Sequence, residues 1–597
     1  MKKGAAKTVL LSLMGLALLV AAASRIDPVK QLRRQYNLDP TDPIAESQVA
    51  SELSLPTPVL AVFRTLAIDY LWIRADNLKQ EGQYFDALHL SRLICALQPN
   101  IPDVWIFQAW NMAYNISHAM STPQERWNWV QAGYRLLRDE GIPKNPKTLE
   151  LYRWLGHIFQ HKIGGITDDF HRFYKQKLAF EMMEILGSAQ QTNQLFQQLA
   201  AAPRSWAAIA EDPNLAPLLN NIIDADPSLT DEKSFSEALL RIDVAPAEYP
   251  PKLHQVLADY RSDPALAQLN AFARAATLRR EWKLDPQFML ELNRQYGPID
   301  YQQEEETHLS LDWRLPSSHA LYWAKRGMLQ VEDQDTTAVR NLSRLVYHSL
   351  INLYHFGSLK IFTFEMPPDA PQREKGQEIL DKTPFTAMRI YNSQDLRMYP
   401  IAWQATLDII DYYEARGEEA PHGMDSAAAY LSWSAISNLY LSDYKKTARR
   451  YYRKLKLRFP DNPDYQDPLE TFIAKKMAEE FKEITPKAAG AYIDSLLRQS
   501  FRLYAYRNDD LATANERRAQ QIFQLMGKQT DEESEALRLL GTQDFNRLKT
   551  TALENFLDDP SIDFYVKNLL LDRIRLDNPP VFERLMKKLQ SKLPPAS

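Results

Sequence analysis

The sequence predicts an all-α fold: an α-solenoid of helix-turn-helix repeats, with a helical insert and an amino-terminal signal or anchor helix. Three observations predict it. Glycine is scarce, 18 of 597 residues, while Leu, Ala, Gln, Glu, Lys and Arg, which lose little rotamer freedom in a helix, are plentiful. Apolar residues recur at three- and four-residue spacing between prolines and turn residues from Pro58 onward. The chain is also too long for one core unless that core is spread in one dimension, as stacked helix pairs do.

Charge and cysteine narrow the chemistry. The formal charge is -5 and the pI about 6.2, so there is no basic field for a phosphate backbone and no nucleic-acid partner is expected. The run Lys445, Lys446, Arg449, Arg450, Arg453 and Lys454 reads as a solvated helix face. A single cysteine, Cys95, forms no internal disulfide, and CxxC and CxxCH are absent. Its apolar helix makes it a small buried hydrophobe.

Residues 1–25 have the layout of an export signal. Lys2, Lys3 and Lys7 precede the apolar run Val9 to Ala23, and Arg25 follows. The run is short of the ~20 residues that span a bilayer comfortably, and Ala21, Ala22 and Ala23 suit signal peptidase. A retained anchor is the preferred reading, with snorkelling flanks, and cleavage near Ala23 is the alternative. The positive end stays inside, which makes the bulk of the chain extracytoplasmic, or periplasmic. Residues 26–57, with Pro28, Pro40, Pro43 and Pro56, read as a linker.

The first array is expected over 58–187. One helix runs from Pro58 to Gln80 and its partner from Tyr84 to Leu97, ending before Pro99. The next pair buries Trp105, Ala109, Met112 and Ile116 on one helix and Trp127, Val130, Tyr134 and Leu137 on the other. Thr122-Pro123-Gln124-Glu125 between them is a capping box with proline just inside. A third pair spans Asn145 to Lys162 and Asp168 to Leu186, with Leu155, Gly156 and Phe159 facing inward. Each pair leaves an apolar face that only the next one covers, so about three units are needed.

Beyond Gly187 the period is lost. Residues 188–300 form a helical insert broken by prolines, and 301–365 a helical hairpin region capped by the extended segment Leu359 to Phe364. A Pro-containing linker follows over 366–400. Helical pairs resume over 401–597.

The first pair is similar to a tetratricopeptide repeat (TPR). Leu71, Ala75 and Leu78 stand at its large, small and large sites, Gly82 and Tyr84 at the turn, Ala87 at the helix crossing and Pro99 at the close. Ser91 departs from the aromatic preferred there. Tyr440, Tyr444, Ala448, Tyr452, Leu455 and Pro460 repeat the pattern. More narrowly, LWIRAD, QPNIPDVWIFQAWNMAYNIS, HIFQHKIGG, YGPID and DWRLPSSHALYWAKRG resemble a bacterial family of long, membrane-anchored repeat proteins. That resemblance implies an architecture and a location and no activity. The eleven-residue spacing between YGPID and DWRLP, YQQEEETHLSL, leaves their joint geometry open.

Catalytic signatures are missing from the sequence. It has no Gly-rich phosphate loop, GxSxG or Walker A motif, so neither an enzyme nor a cofactor is expected. His157 and His161 share a helix face, with His171 on the next helix, but Ile158 occupies the slot where HExxH needs glutamate. A packing role is favoured over metal. Asp168-Asp169 reads as helix-start anions. The repeat pattern places Trp72, Asp76, Ile106, Trp110 and Tyr114, with Asn111 adjacent, along the concave groove. Aromatics beside an acid and amides suit an extended peptide. The expected function is a membrane-tethered scaffold or adaptor for another protein. A metal-dependent envelope enzyme and a purely structural envelope component are the alternatives.

Overall fold

Proline opens helix after helix in this chain. In the computed structural model, helices begin at Pro102, Pro123, Pro251, Pro264, Pro286 and Pro316, where the missing N–H has no helical partner to lose. Asp263 and Asp285, each just before such a proline, accept the amides of Ala265 and Gln287 at 2.8 and 3.0 Å. The structure describes residues 57–332, 336–365, 386–482, 486–526 and 544–591. The expected signal or anchor helix of residues 1–25 lies outside them. Among the described residues no helix is long and apolar enough to cross a membrane.

The protein is predominantly α-helical, as the composition predicts. Among the described residues the one sheet is a two-stranded antiparallel hairpin, β1 (Ser358–Glu365) and β2 (Thr386–Ser393), registered with Ile361 opposite Ile390. The expected extended segment Leu359 to Phe364 is β1. Its partner falls within the 366–400 linker, because strand pairing joins residues that no local pattern connects.

Two compact units divide the chain: Met1–Ile158 with Trp323–Leu342, and Phe159–Tyr322 with Ser343–Ser597. In the first, the helices Thr57–Gln80 and Tyr84–Leu97 pair across a turn in which Gly82 has φ +78, a conformation that favours glycine. Ser91, where a repeat prefers an aromatic, is buried and returns its hydroxyl to the Ala87 carbonyl at 2.8 Å. The capping box forms: the Glu125 amide donates to Thr122 Oγ1 at 3.2 Å, and the Thr122 amide to Glu125 Oε2 at 3.3 Å. Trp105, Trp127, Val130, Tyr134 and Leu137 are all buried. The Pro99 carbonyl accepts both Trp105 Nε1 at 3.0 Å and Asn145 Nδ2 at 2.7 Å, tying the second pair to the third. Gly327 packs so tightly on Tyr152 that a Cβ there would lie 2.7 Å from the Tyr152 Cβ.

Three of the early helices end in a wider, π-helical turn: Asn111–Ile116 after Trp110, Leu136–Gly141 after Arg135, and Ile158–Ile163 after His157. The extra residue per turn rotates the succeeding side chains about the helix axis, so a strict 3.6-residue stripe does not describe these stretches.

In the second unit the proline-broken insert is ordered. Ile209, Leu218, Ile222, Phe235, Leu253, Leu269 and Phe272 form its own core. The spacer folds back on YGPID, Ile299 bridging His308, and DWRLP is held by the preceding helix Pro286–Tyr296, where Asn293 Oδ1, fully buried, accepts both the Leu311 amide at 3.2 Å and Trp313 Nε1 at 3.0 Å. A second apolar core runs from Ala489 through Phe556 to Leu585. The basic run at 445–454 is a surface face. Arg449 pairs with Glu470 at 2.6 Å, and Lys454 with Glu306 at 3.2 Å.

Candidate functional site

In the first unit, aromatic rings form a continuous row across three helices. Trp72 meets Phe107 edge-on at 5.2 Å, and Phe107 lies 6.4 Å from Trp110. Trp110 stacks on Tyr114 at 6.2 Å, and Tyr114 on His157 at 6.4 Å. Trp154 closes the row edge-on to His157 at 5.4 Å, with the Arg153 guanidinium 4.8 Å over its ring. Helical spacing explains the central part, since 107, 110 and 114 lie three and four residues apart on one face. Helix pairing brings Trp72 and His157 to either side. Trp72, Trp110, Tyr114 and His157 are half-buried, whereas Phe107 is 47% exposed. Burial holds the Tyr114 hydroxyl well above its ordinary pKa, so it stays protonated.

Of the residues the repeat pattern singles out, the structure thus brings together Trp72, Trp110 and Tyr114. Ile106 is half-buried on the same helix. Asp76 is exposed, accepting Gln80 Nε2 at 2.8 Å with Lys79 at 3.7 Å, and Asn111 accepts Asn115 Nδ2 at 3.0 Å. Both are engaged within their own helices. Counting repeat positions misses Phe107, Trp154 and His157, although their spacing from Trp110 and from each other is readable.

The histidines diverge. His157 stacks in the aromatic row, while His171 accepts Lys175 Nζ at Nδ1, 3.1 Å away. Burial and the neighbouring Lys175 and Arg172 lower the His171 pKa, which keeps its ring neutral. Among the described residues, no three His, Cys, Asp or Glu side chains are arranged to hold a metal ion. Asp168 accepts Lys162 Nζ at 2.6 Å, a buried ion pair, and the Phe170 amide at 2.9 Å.

The second unit holds a cavity of about 570 Å3 that the sequence pattern does not announce. Its walls come from the helix His171–Leu186, from β2, and from the segments around Pro316, Leu353, Arg502 and Ile562. Gln176 Nε2 donates to the Met388 carbonyl at 2.9 Å, fixing the helix to β2. Tyr391 of β2 stacks on Tyr506 at 4.4 Å. Arg172, Lys175, Arg314, Arg389 and Arg502 line the cavity against one carboxylate, Asp563. Only the spacing of Arg172, Lys175, Gln176 and Ala179 along one helix face could have signalled it.

A smaller polar cleft of about 280 Å3 in the same unit includes Lys360, Asp395, Arg397, Tyr444 and Asp510. Asp395 grips Arg397 in a fork at 2.9 and 2.8 Å, and Tyr444 donates to Asp510 Oδ2 at 3.4 Å. Burial raises the Asp510 carboxyl and lowers the Lys360 ammonium. Acids and bases alternate here and answer one another's charge, which describes a polar seam rather than a cavity shaped for one ligand.

No family model matches this chain, and no curated protein and no solved structure shows significant similarity to it.

Proposed function

We propose that the protein is a membrane-tethered, extracytoplasmic scaffold or adaptor, a TPR-like α-solenoid that binds another protein through its first unit. The aromatic row from Trp72 to Trp154 carries the reading. Rings half-covered by one another and exposed at Phe107 offer a rigid apolar strip with little side-chain entropy to lose on binding. Leu66, Tyr70 and Ile73, exposed along one face of the first helix, and Phe85, 82% exposed at the start of the second, enlarge the apolar surface of this unit. Such a surface fits an extended segment with apolar or proline side chains, bound by ring contacts and by hydrogen bonds to its backbone. The tether rests on the charged-then-apolar layout of residues 1–25.

The test is site-specific photocrosslinking in cells from position 107, followed by identification of the adducts. One discrete protein adduct, lost on Trp110→Ala and retained on an exposed control such as Glu81→Ala, is the expected result. Adducts that are absent, or indifferent to Trp110→Ala, would sink the adaptor reading.

A further inference from the structure

We propose that the 570 Å3 cavity of the second unit binds one amphipathic anion: a single acyl or isoprenyl chain carrying a phosphate headgroup. Its size lies in the range of pockets that enclose small ligands. The lining is divided by chemistry. Leu315, Leu353, Leu359, Ile562 and Val566 give an apolar wall, and Ile166 and Phe356, which also line it, are 74% and 52% exposed. Apolar side chains left so open suit a hydrocarbon chain, for which a bare phosphate or a nucleotide has no use.

The same lining carries the cations Arg172, Lys175, Arg314, Arg389 and Arg502. Arg314 is already neutralised, forked onto Asp312 at 2.9 and 2.7 Å and donating to the Ser188 carbonyl. Asp563, the one carboxylate, caps the helix Phe564–Asp577 by accepting the Tyr565 amide at 2.9 Å. Arg172, Lys175 and Arg502 have no carboxylate within ion-pair distance among the described residues. In the same unit, by contrast, Arg498 pairs with Asp559 at 2.7 Å and Arg573 with Asp509 at 2.9 Å. In a chain of net charge -5, uncompensated cations converging on one cavity are not a compositional accident. Among the described residues, Lys175 Nζ donates to neutral acceptors, the Gly165 carbonyl at 2.9 Å and His171 Nδ1. Burial, helped by Arg172, pushes its ammonium down to about 8, a strain that a bound anion would relieve. Arg389, with its guanidinium 4.9 Å over the Tyr565 ring, adds a planar donor suited to phosphate. The partner bound by the first unit has no bearing on this site.

The test uses the purified full-length chain and a monoacyl glycerophosphate with a diazirine in its acyl chain. Photolabelling followed by peptide mapping should place adducts on segments bearing Leu353, Phe356 or Ile562. Unlabelled monoacyl glycerophosphate should compete, and inorganic phosphate and monoacyl glycerophosphocholine should not. Loss of a charge-assisted hydrogen bond predicts labelling weakened about tenfold or more in Lys175→Gln, and again in Arg172→Gln with Arg502→Gln. The two arginines are exposed, so those variants should keep the fold, which circular dichroism checks. Adducts outside the cavity, or labelling indifferent to these substitutions, would overturn the proposal. So would equal competition by the zwitterionic lipid, which removes the need for net charge, or by inorganic phosphate, which removes the need for the chain.

Discussion

Gly133 faces the Ala109 carbonyl so closely that a Cβ at 133 would stand 2.6 Å from that oxygen and 3.0 Å from the Ala113 Cβ. This is the crossing of the second helix pair, and the obstacle is mainly backbone. Alanine in place of a mid-helix glycine ordinarily stabilises by roughly 1 kcal/mol. Here the clash decides the sign, and Gly133→Ala should destabilise by about 1–3 kcal/mol, as overpacking does. Chemical denaturation of the two proteins measures it, and an unchanged midpoint would refute the close crossing.

Asn293, on the helix Pro286–Tyr296, holds the segment before Pro316 through one oxygen, which accepts the Leu311 amide and the Trp313 indole. Asn293→Leu should leave both buried donors without an acceptor, at a cost of about 2–4 kcal/mol. Tryptophan near-ultraviolet dichroism and the denaturation midpoint should change together.

The partly buried Lys175 is costly at neutral pH. Its folded pKa, about 8, lies below the ordinary 10.5. Between those values the unfolded chain holds a proton that the folded one has released, so this group makes stability rise with pH from about 8 to 10.5. Below that window the charge is carried in both states and the penalty is full, at most roughly 3 kcal/mol before screening by water. Lys175→Met should therefore raise the melting temperature at pH 7 and flatten its dependence between pH 8 and 10.5. A lowered melting temperature at pH 7 would contradict the buried-charge account.

Trp110 and Phe107 should separate binding from stability. Phe107→Ala removes a side chain that is nearly half exposed and should cost under about 1.5 kcal/mol. Trp110→Ala also loses the stack on Tyr114 and should cost about 2–4 kcal/mol. Both should reduce partner capture. A Phe107→Ala protein that is stable yet captures its partner undiminished would remove that ring from the binding surface.

Cys95 is fully buried, and burial, with Glu140 adding to it, pushes its thiol far above the usual range. It should resist a thiol reagent in the native protein and react at the rate of unfolding in denaturant. Rapid native labelling would mean that the first helix pair opens locally.

The debt of the candidate sites to sequence differs between the two units. Trp110 and Tyr114 are four residues apart on one helix, so their proximity is written in the spacing, and Phe107 follows by the same rule. Trp72 and His157 join them only when neighbouring helices pack. The repeat pattern also places Asp76 and Asn111 in the groove, but short polar side chains on helix surfaces find partners four residues away, as both do here.

The sequence alone determined the helical class, the proline and aspartate helix starts, the Thr122–Glu125 cap, the Gly82 turn and the buried faces of the early helices. Each depends on residues within a turn or two of one another, where propensity and periodicity act directly. Tertiary structure decided the pairing of β1 with β2, the packing that brings Trp72 and His157 to the aromatic row, and the convergence of Arg172, Lys175, Arg389 and Arg502 on one cavity. Arg172 and Lys175 share one helix face, but Arg389 and Arg502 lie hundreds of residues further on, and only long-range packing brings them to the same cavity.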